Sequence, residues 1–198
     1  APLNQLNAIY QSFKRSQGNL IFLLDGDDFY KINKIQLIRN SYSEHKSIDF
    51  IQDNPIYFYS LNKKKIEKKL KNKYFIFHTW PYFNPTSTMS FRRDLFNKIL
   101  KEISFSKKKY KKMFFDARVT IYLHFFEKKS ILLGDYLTFY TQNYLGDTLK
   151  NYDTKNISWW WRRYEYHQYV LSLFKKKKKK HIKLLDYYLT KLINFFIS

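Results

Sequence analysis

Leu20-Ile21-Phe22-Leu23-Leu24-Asp25-Gly26-Asp27-Asp28 is the stretch on which the reading of this chain turns. Five consecutive apolar residues predict a strand buried on both faces, as in a parallel or mixed sheet covered by helices. Three carboxylates follow at once, at the carboxyl end of that strand, where open α/β sheets bind their ligands. Carboxylates this close repel one another unless a cation joins them. Magnesium or manganese, held by one or two carboxylates and by substrate phosphates, suits such a loop. A tight Asp-Gly turn with solvated acids has the same composition. The buried strand before the loop and the helix expected after it favour the ligand site.

Upstream, residues 3–16 place Leu6, Ile9, Tyr10 and Phe13 at helical spacing, and Gly18 ends that helix. Downstream, residues 29–39 read as a helix with Ile32, Ile35 and Ile38 on one side. Residues 47–61 read as one or two strands broken at Asp53-Asn54-Pro55, and the charge run 63–73 as an exposed helix or loop. A strand is expected at 74–78, an irregular segment at 80–87 and a helix over 94–102. Residues 107–112 form a basic loop, 116–126 a helix and 131–140 a further strand. Two helices, 159–174 and 182–196, flank the run Lys175 to Lys180. The expected architecture is α/β: a mixed sheet with flanking helices over residues 1–148, then a helical extension over 149–198.

The chain has 198 residues, a formal charge of +21 and no cysteine. Zero cysteine excludes a disulfide framework and thiolate metal sites, and fits a reducing, cytoplasmic compartment. The charge invites a nucleic-acid reading, but lysine supplies most of the 37 basic residues. Phosphate-clamping and base-reading surfaces lean on arginine forks. Abundant Lys, Asn, Ile, Tyr and Phe share A/T-rich codons, so base composition explains the charge without a nucleic-acid partner. Attraction to the anionic inner face of a membrane follows from the charge in any case. No stretch reaches the ~18 apolar residues of a membrane span.

The segment from Gly18 through Asp28 resembles the metal-binding segment of family 2 glycosyltransferases, which have the GT-A fold. Three more segments resemble that family in the same order. Pro85-Thr86-Ser87-Thr88-Met89-Ser90-Phe91-Arg92-Arg93 resembles its small-residue stretch before an arginine-bearing helix. Phe115-Asp116-Ala117 resembles the motif that carries the catalytic base, with Phe115 where the family often has Glu. Leu137-Thr138-Phe139-Tyr140-Thr141-Gln142-Asn143 resembles the segment closing the core. The resemblance spans about residues 3–145.

That resemblance implies an inverting transfer of sugar from a nucleotide-sugar donor to a hydroxyl of a glycan, lipid-linked or protein acceptor. Asp25 and Asp27 would hold Mn2+ or Mg2+ on the donor diphosphate, and Asp116 would be the catalytic base. Asp28, Ser87, Arg92 and Arg93, with Asp25, would contact donor or substrate. For Asp28 the roles of metal ligand, water orienter and sugar contact stay open. Asp116 equally suits a helix N-cap, and Arg93 beside Asp94 a surface pair. The family's opening βαβ unit, which grips the nucleotide base, has no counterpart ahead of Ala1. The resemblance therefore implies an N-terminally incomplete core with an open sheet edge.

Two other classes fit the same chain: a basic protein binding nucleic acid or anionic membrane, and a transferase fold serving as an inactive scaffold. Trp159-Trp160-Trp161-Arg162-Arg163 suits a membrane surface, although three consecutive residues cannot share one helix face. The stripe Ile182, Leu185, Leu189, Leu192 and Phe196 reads more readily as core or partner interface than as a membrane anchor. His78 beside Trp80 would stack on a sugar or simply pack.

Overall fold

The structure is a computed structural model and describes residues 2–67, 69, 85–103, 109–110, 113–127, 129–142, 157–180 and 185–197. The expectations for 74–78, for His78 and Trp80, and for most of 107–112 lie outside these residues.

Helix α1 (Pro2–Arg15) leads into β1 (Leu20–Phe22), the acidic loop, β2 (Phe29–Tyr30) and α2 (Lys34–Glu44). Then come β3 (Phe50–Tyr59), β4 (Lys64–Glu67), a single 3-10 turn (Thr86–Thr88) and β5 (Met89–Arg92). Helices α3 (Arg93–Ile103) and α4 (Phe115–Phe126), strand β6 (Ser130–Gln142) and helices α5 (Ile157–Lys176) and α6 (Leu185–Ile197) complete the order. The sheet runs β1-β5-β3-β6-β2, with β4 paired to the outer half of β3. Among the described strands, β3 and β6 alone are parallel; the other pairs are antiparallel. The chain thus has the expected α/β class, a mixed sheet flanked by helices.

One apolar cluster joins Leu6 of α1, Phe91 of β5, Phe96 and Ile99 of α3, Phe115, Val119 and Tyr122 of α4, and Tyr169, Val170 and Leu173 of α5. The first helix of the C-terminal extension therefore shares its core with α3 and α4. A smaller cluster of Ile38, Tyr42, Ile51 and Leu137 sits under α2. No helix among the described residues is long and apolar enough to cross a membrane.

Several expectations are corrected. β1 is not buried on both faces: among the described strands it stands at the end of the order, paired with β5, and it is half-buried, with Leu24 exposed. Residues 29–39 are not one helix, because Phe29 and Tyr30 pair with Phe139 and Thr138 of β6 before α2 begins. Cross-strand pairing outweighs helical periodicity here, and of the three isoleucines only Ile38 is buried. β3 is continuous through Asp53-Asn54-Pro55, which form a bulge against β6. A bulge tolerates a proline that donates no ladder bond. Asn54 Nδ2 fills that gap by donating to the Leu133 and Gly134 carbonyls, both at 3.0 Å. The charge run starts as strand β4. The described part of the α6 stripe is not core; Leu185, Leu189, Leu192 and Phe196 face outward.

Candidate active site

The acidic loop sits where β1 ends, and three other parts of the chain hold it. Asp28 N donates to Asp25 O at 3.1 Å, closing the turn. Ser87, at the centre of the 3-10 turn, accepts from Asp25 N at 2.9 Å and donates to Asp28 Oδ2 at 2.6 Å. From β6, Thr141 N donates to Asp28 Oδ1 at 2.8 Å, and the Thr141 hydroxyl donates to the Asp27 carbonyl. Both Asp28 oxygens are thus committed to protein donors, and the residue is buried. Its geometry is that of a clamp fixing the loop, a role outside the three that the sequence left open. Burial raises the Asp28 pKa to about 6, against the pull of the Ser87 and Thr141 bonds.

Asp25 and Asp27 differ. Asp27 is exposed, whereas Asp25 is half-buried and accepts from Gln5 Nε2 of α1 at 3.3 Å. Burial, and then the charge of Asp27, raise the Asp25 pKa. Gly26 between them has no positive φ, and a Cβ there would meet nothing within 4 Å. The turn does not require a glycine; its lack of a side chain leaves the outer face of the loop open.

Gln5 also accepts from Phe115 N at 3.2 Å, so one side chain links the acidic loop to the start of α4. Asp116 lies in the first turn of α4, not at its N-cap, which is Phe114. Its Oδ1 accepts from Ala117 N at 2.7 Å. Burial, with a further push from the Asp25 charge, raises its pKa to about 7. Burial outweighs the helix N-terminus, which by itself favours the charged form. Arg162 of α5 is the arginine whose charge reaches Asp116.

The structure brings Asp25, Asp27, Asp28, Ser87 and Asp116 into one region and leaves Arg92 and Arg93 outside it. Arg92 Nε donates to Ile48 O and Nη2 to Tyr42 O, both at 2.8 Å. Arg93 Nε donates to Gly18 O at 2.6 Å and Nη2 to Ser16 Oγ at 2.9 Å. Both guanidinium groups hold loop carbonyls at the end of β5 away from Asp25. Thr88 is buried and bonded to Gln52 and the Pro85 carbonyl.

Sequence reasoning missed the buried layer beneath the loop. Lys34 and Asp53 form an ion pair at 2.7 Å, each with a fully buried side chain. Lys34 Nζ also donates to Ser87 O at 2.7 Å and Thr138 Oγ1 at 2.6 Å, while Thr138 Oγ1 donates to Asp53 Oδ2 at 2.6 Å. Burial lowers the Lys34 pKa and raises that of Asp53, and their mutual attraction opposes both shifts. Tyr30 donates to the Leu23 carbonyl, and Lys34 Nζ lies 4.0 Å from its ring centroid. The bulge-forming Asp53-Asn54-Pro55 was the sole signal in the sequence for this layer; Gln5 and Lys34 had none.

The donor set bears on the expected metal. Among the described residues no group of three His, Cys, Asp or Glu could enclose an ion. Asp25 and Asp27 nevertheless suit a hard cation shared with a ligand's phosphates, because magnesium-type sites commonly use only one or two carboxylates. Burial first, and then the Asp27 charge, raise the Asp25 pKa, and a cation would relieve the repulsion between the two acids.

No protein-family model and no curated protein matches the chain. Among solved structures, it is similar to S. aureus TarS (1-349) in complex with UDP-GlcNAc, at 11% identity and a TM-score of 0.47. That alignment covers 93% of this chain and 49% of TarS. A second structure of S. aureus TarS (1-349) aligns at 13% identity and a TM-score of 0.44, over 81% of this chain and 58% of TarS. The chain spans about half the length of these structures.

Proposed function

We propose that this chain is part of the catalytic core of a glycosyltransferase that moves a sugar from a nucleotide-sugar to an acceptor hydroxyl with inversion. The observation that supports the reading best is the pairing of an open acidic loop with Asp116, a carboxylate of pKa about 7 in the first turn of α4, the helix whose start Gln5 ties to that loop. A general base works best when its pKa lies near the working pH.

Asp25 and Asp27 would hold Mn2+ or Mg2+ against the donor diphosphate. The cation, when bound, neutralises charge gathering on the departing nucleoside diphosphate. Asp28, Ser87 and Thr141 keep the loop in one geometry before the donor arrives, which removes an ordering cost from binding. Asp116 accepts the proton of the acceptor hydroxyl as that oxygen bonds to the sugar carbon. The bond from that carbon to the diphosphate oxygen breaks, its electron pair leaves with the diphosphate, and the configuration inverts. Glycan, lipid-linked and protein hydroxyls all suit this step.

The test is calorimetry with manganese and a panel of nucleoside diphosphates and nucleotide-sugars that includes UDP-GlcNAc. The comparison is between the chain and Asp25→Ala/Asp27→Ala. Binding that needs both the cation and the acids supports the reading. Cation-independent binding, unchanged in the variant, overturns it.

A further inference from the structure

Helix α6 is turned inside out. On its side facing α5 lie Asp186, Tyr187, Thr190 and Asn194, all buried. On its other side lie Leu185, Tyr188, Leu189, Leu192, Phe195 and Phe196, each 49–77% exposed. Their spacing of three and four residues makes one continuous apolar stripe along the helix. An amphipathic helix on a globular protein ordinarily presents the apolar side inward.

The orientation is held by specific polar bonds. Asp186 is paired with Arg163 of α5, whose Nε donates to Asp186 Oδ1 at 3.0 Å. His167 Nε2, one turn further along α5, lies 3.3 Å from Asp186 Oδ2. Asn194 Nδ2 donates to the Trp160 carbonyl at 3.1 Å and to the Thr190 carbonyl at 2.8 Å. Rotating α6 to bury its leucines would break this set and place Asp186 in solvent, leaving Arg163 without that partner.

Charge indicates the occupant. The lysine run Lys175 to Lys180 closes α5 and precedes α6 in the chain, and Lys175, Lys178, Lys179 and Lys180 are exposed. Lys191 is exposed on α6 itself, and the chain carries +21 overall. At the other end of the helix pair, Ile157 and Trp161 of α5 are exposed as well. An apolar stripe with flanking lysines and an interfacial tryptophan matches the chemistry of an anionic bilayer surface. A second copy of the chain matches it less well. Two chains of +21 repel, and six side chains on one 13-residue helix fall far short of the ~20–30 residues per side of a stable interface.

We infer that the outward face of α6, with the exposed lysines preceding it, docks the protein on the surface of an anionic membrane. The helix lies in the interface plane, with its stripe among the acyl chains and the lysines at the headgroups. This inference is independent of the transferase reading.

The test is vesicle flotation of the full chain with phosphatidylcholine alone and with added phosphatidylglycerol. Binding at least ~10-fold tighter to the anionic vesicles is expected, weakening as salt screens the lysines. Leu192→Glu/Phe196→Glu should reduce binding at least ~10-fold while leaving the thermal melt unchanged, since both side chains are exposed. The chain has no cysteine, so Leu192→Cys gives a unique attachment point for a polarity-sensitive fluorophore. Its emission should shift to the blue with anionic vesicles. An unshifted label on bound protein, or a double variant that binds as the parent does, overturns the inference. So does a chain that dimerises through this face and ignores both vesicle types.

Discussion

The Ser87 hydroxyl donates to the Asp28 carboxylate at 2.6 Å while accepting from the Asp25 backbone N–H, so one oxygen holds both ends of the acidic turn. Ser87→Ala strips a buried carboxylate of a donor and an N–H of its acceptor. The expected loss is about 1–3 kcal/mol of stability, read by urea unfolding. Donor affinity should fall with it, because the loop is no longer fixed in advance.

Gln5 joins Asp25 to the backbone of Phe115 from a helix remote in sequence from both. Gln5→Glu should be worse than Gln5→Ala, since it sets a further carboxylate, beside that of Asp27, against Asp25. Calorimetry of manganese-dependent donor binding, with the thermal melt alongside, separates the two variants. Equal binding by all three proteins would remove Gln5 from the site.

Asp116 has a folded pKa of about 7, raised from an ordinary value near 3.8. Between those values the folded state holds a proton that the unfolded state has lost. Stability therefore falls as pH rises from about 4 to about 7, and the penalty is complete above the folded pKa. Asp116→Asn removes it. In EDTA the variant should melt higher than the parent at pH 8, with the difference gone near pH 4. Transfer activity should show the reverse cost: the parent's rate should rise through pH about 7, and the variant should lose at least ~100-fold.

Gly26 separates binding from folding. With open space where a Cβ would sit and no left-handed backbone, Gly26→Ala should change stability by less than ~0.5 kcal/mol. If the outer face of the loop carries the donor phosphates, the same methyl group should weaken donor binding. A variant that unfolds, or that binds the donor unchanged, contradicts this.

Lys34 and Asp53 are matched buried charges. Lys34→Met leaves Asp53 uncompensated and should cost about 3–5 kcal/mol. Lys34→Met/Asp53→Leu should recover much of that loss, because no lone charge then remains. Chemical unfolding of the two variants measures the difference.

The residues that were legible in the sequence have one property in common. Leu6, Ile9 and Phe13, the acid cluster at 25–28 and the helix bearing Asp116 are local patterns, and a local pattern needs only its neighbours in the chain to be read. Phe29 and Tyr30 failed as helix because their partners, Phe139 and Thr138, lie more than a hundred residues away. Lys34 reads as a surface lysine until Asp53 and Thr138 surround it. The α6 stripe was legible as a stripe, but which way it faced depended on Arg163 and Trp160 of another helix.

By itself the sequence determined the α/β class, the acidic turn at a strand end and the excess of positive charge. Periodicity, composition and residue adjacency are properties of the covalent chain. Tertiary structure alone decided that Asp28 clamps the loop, that Arg92 and Arg93 hold carbonyls away from the acids, and that Asp116 sits where it titrates near neutrality. Each of those outcomes depends on burial and on partners remote in the chain. Desolvation and hydrogen bonding act through space, and no spacing along the chain encodes them.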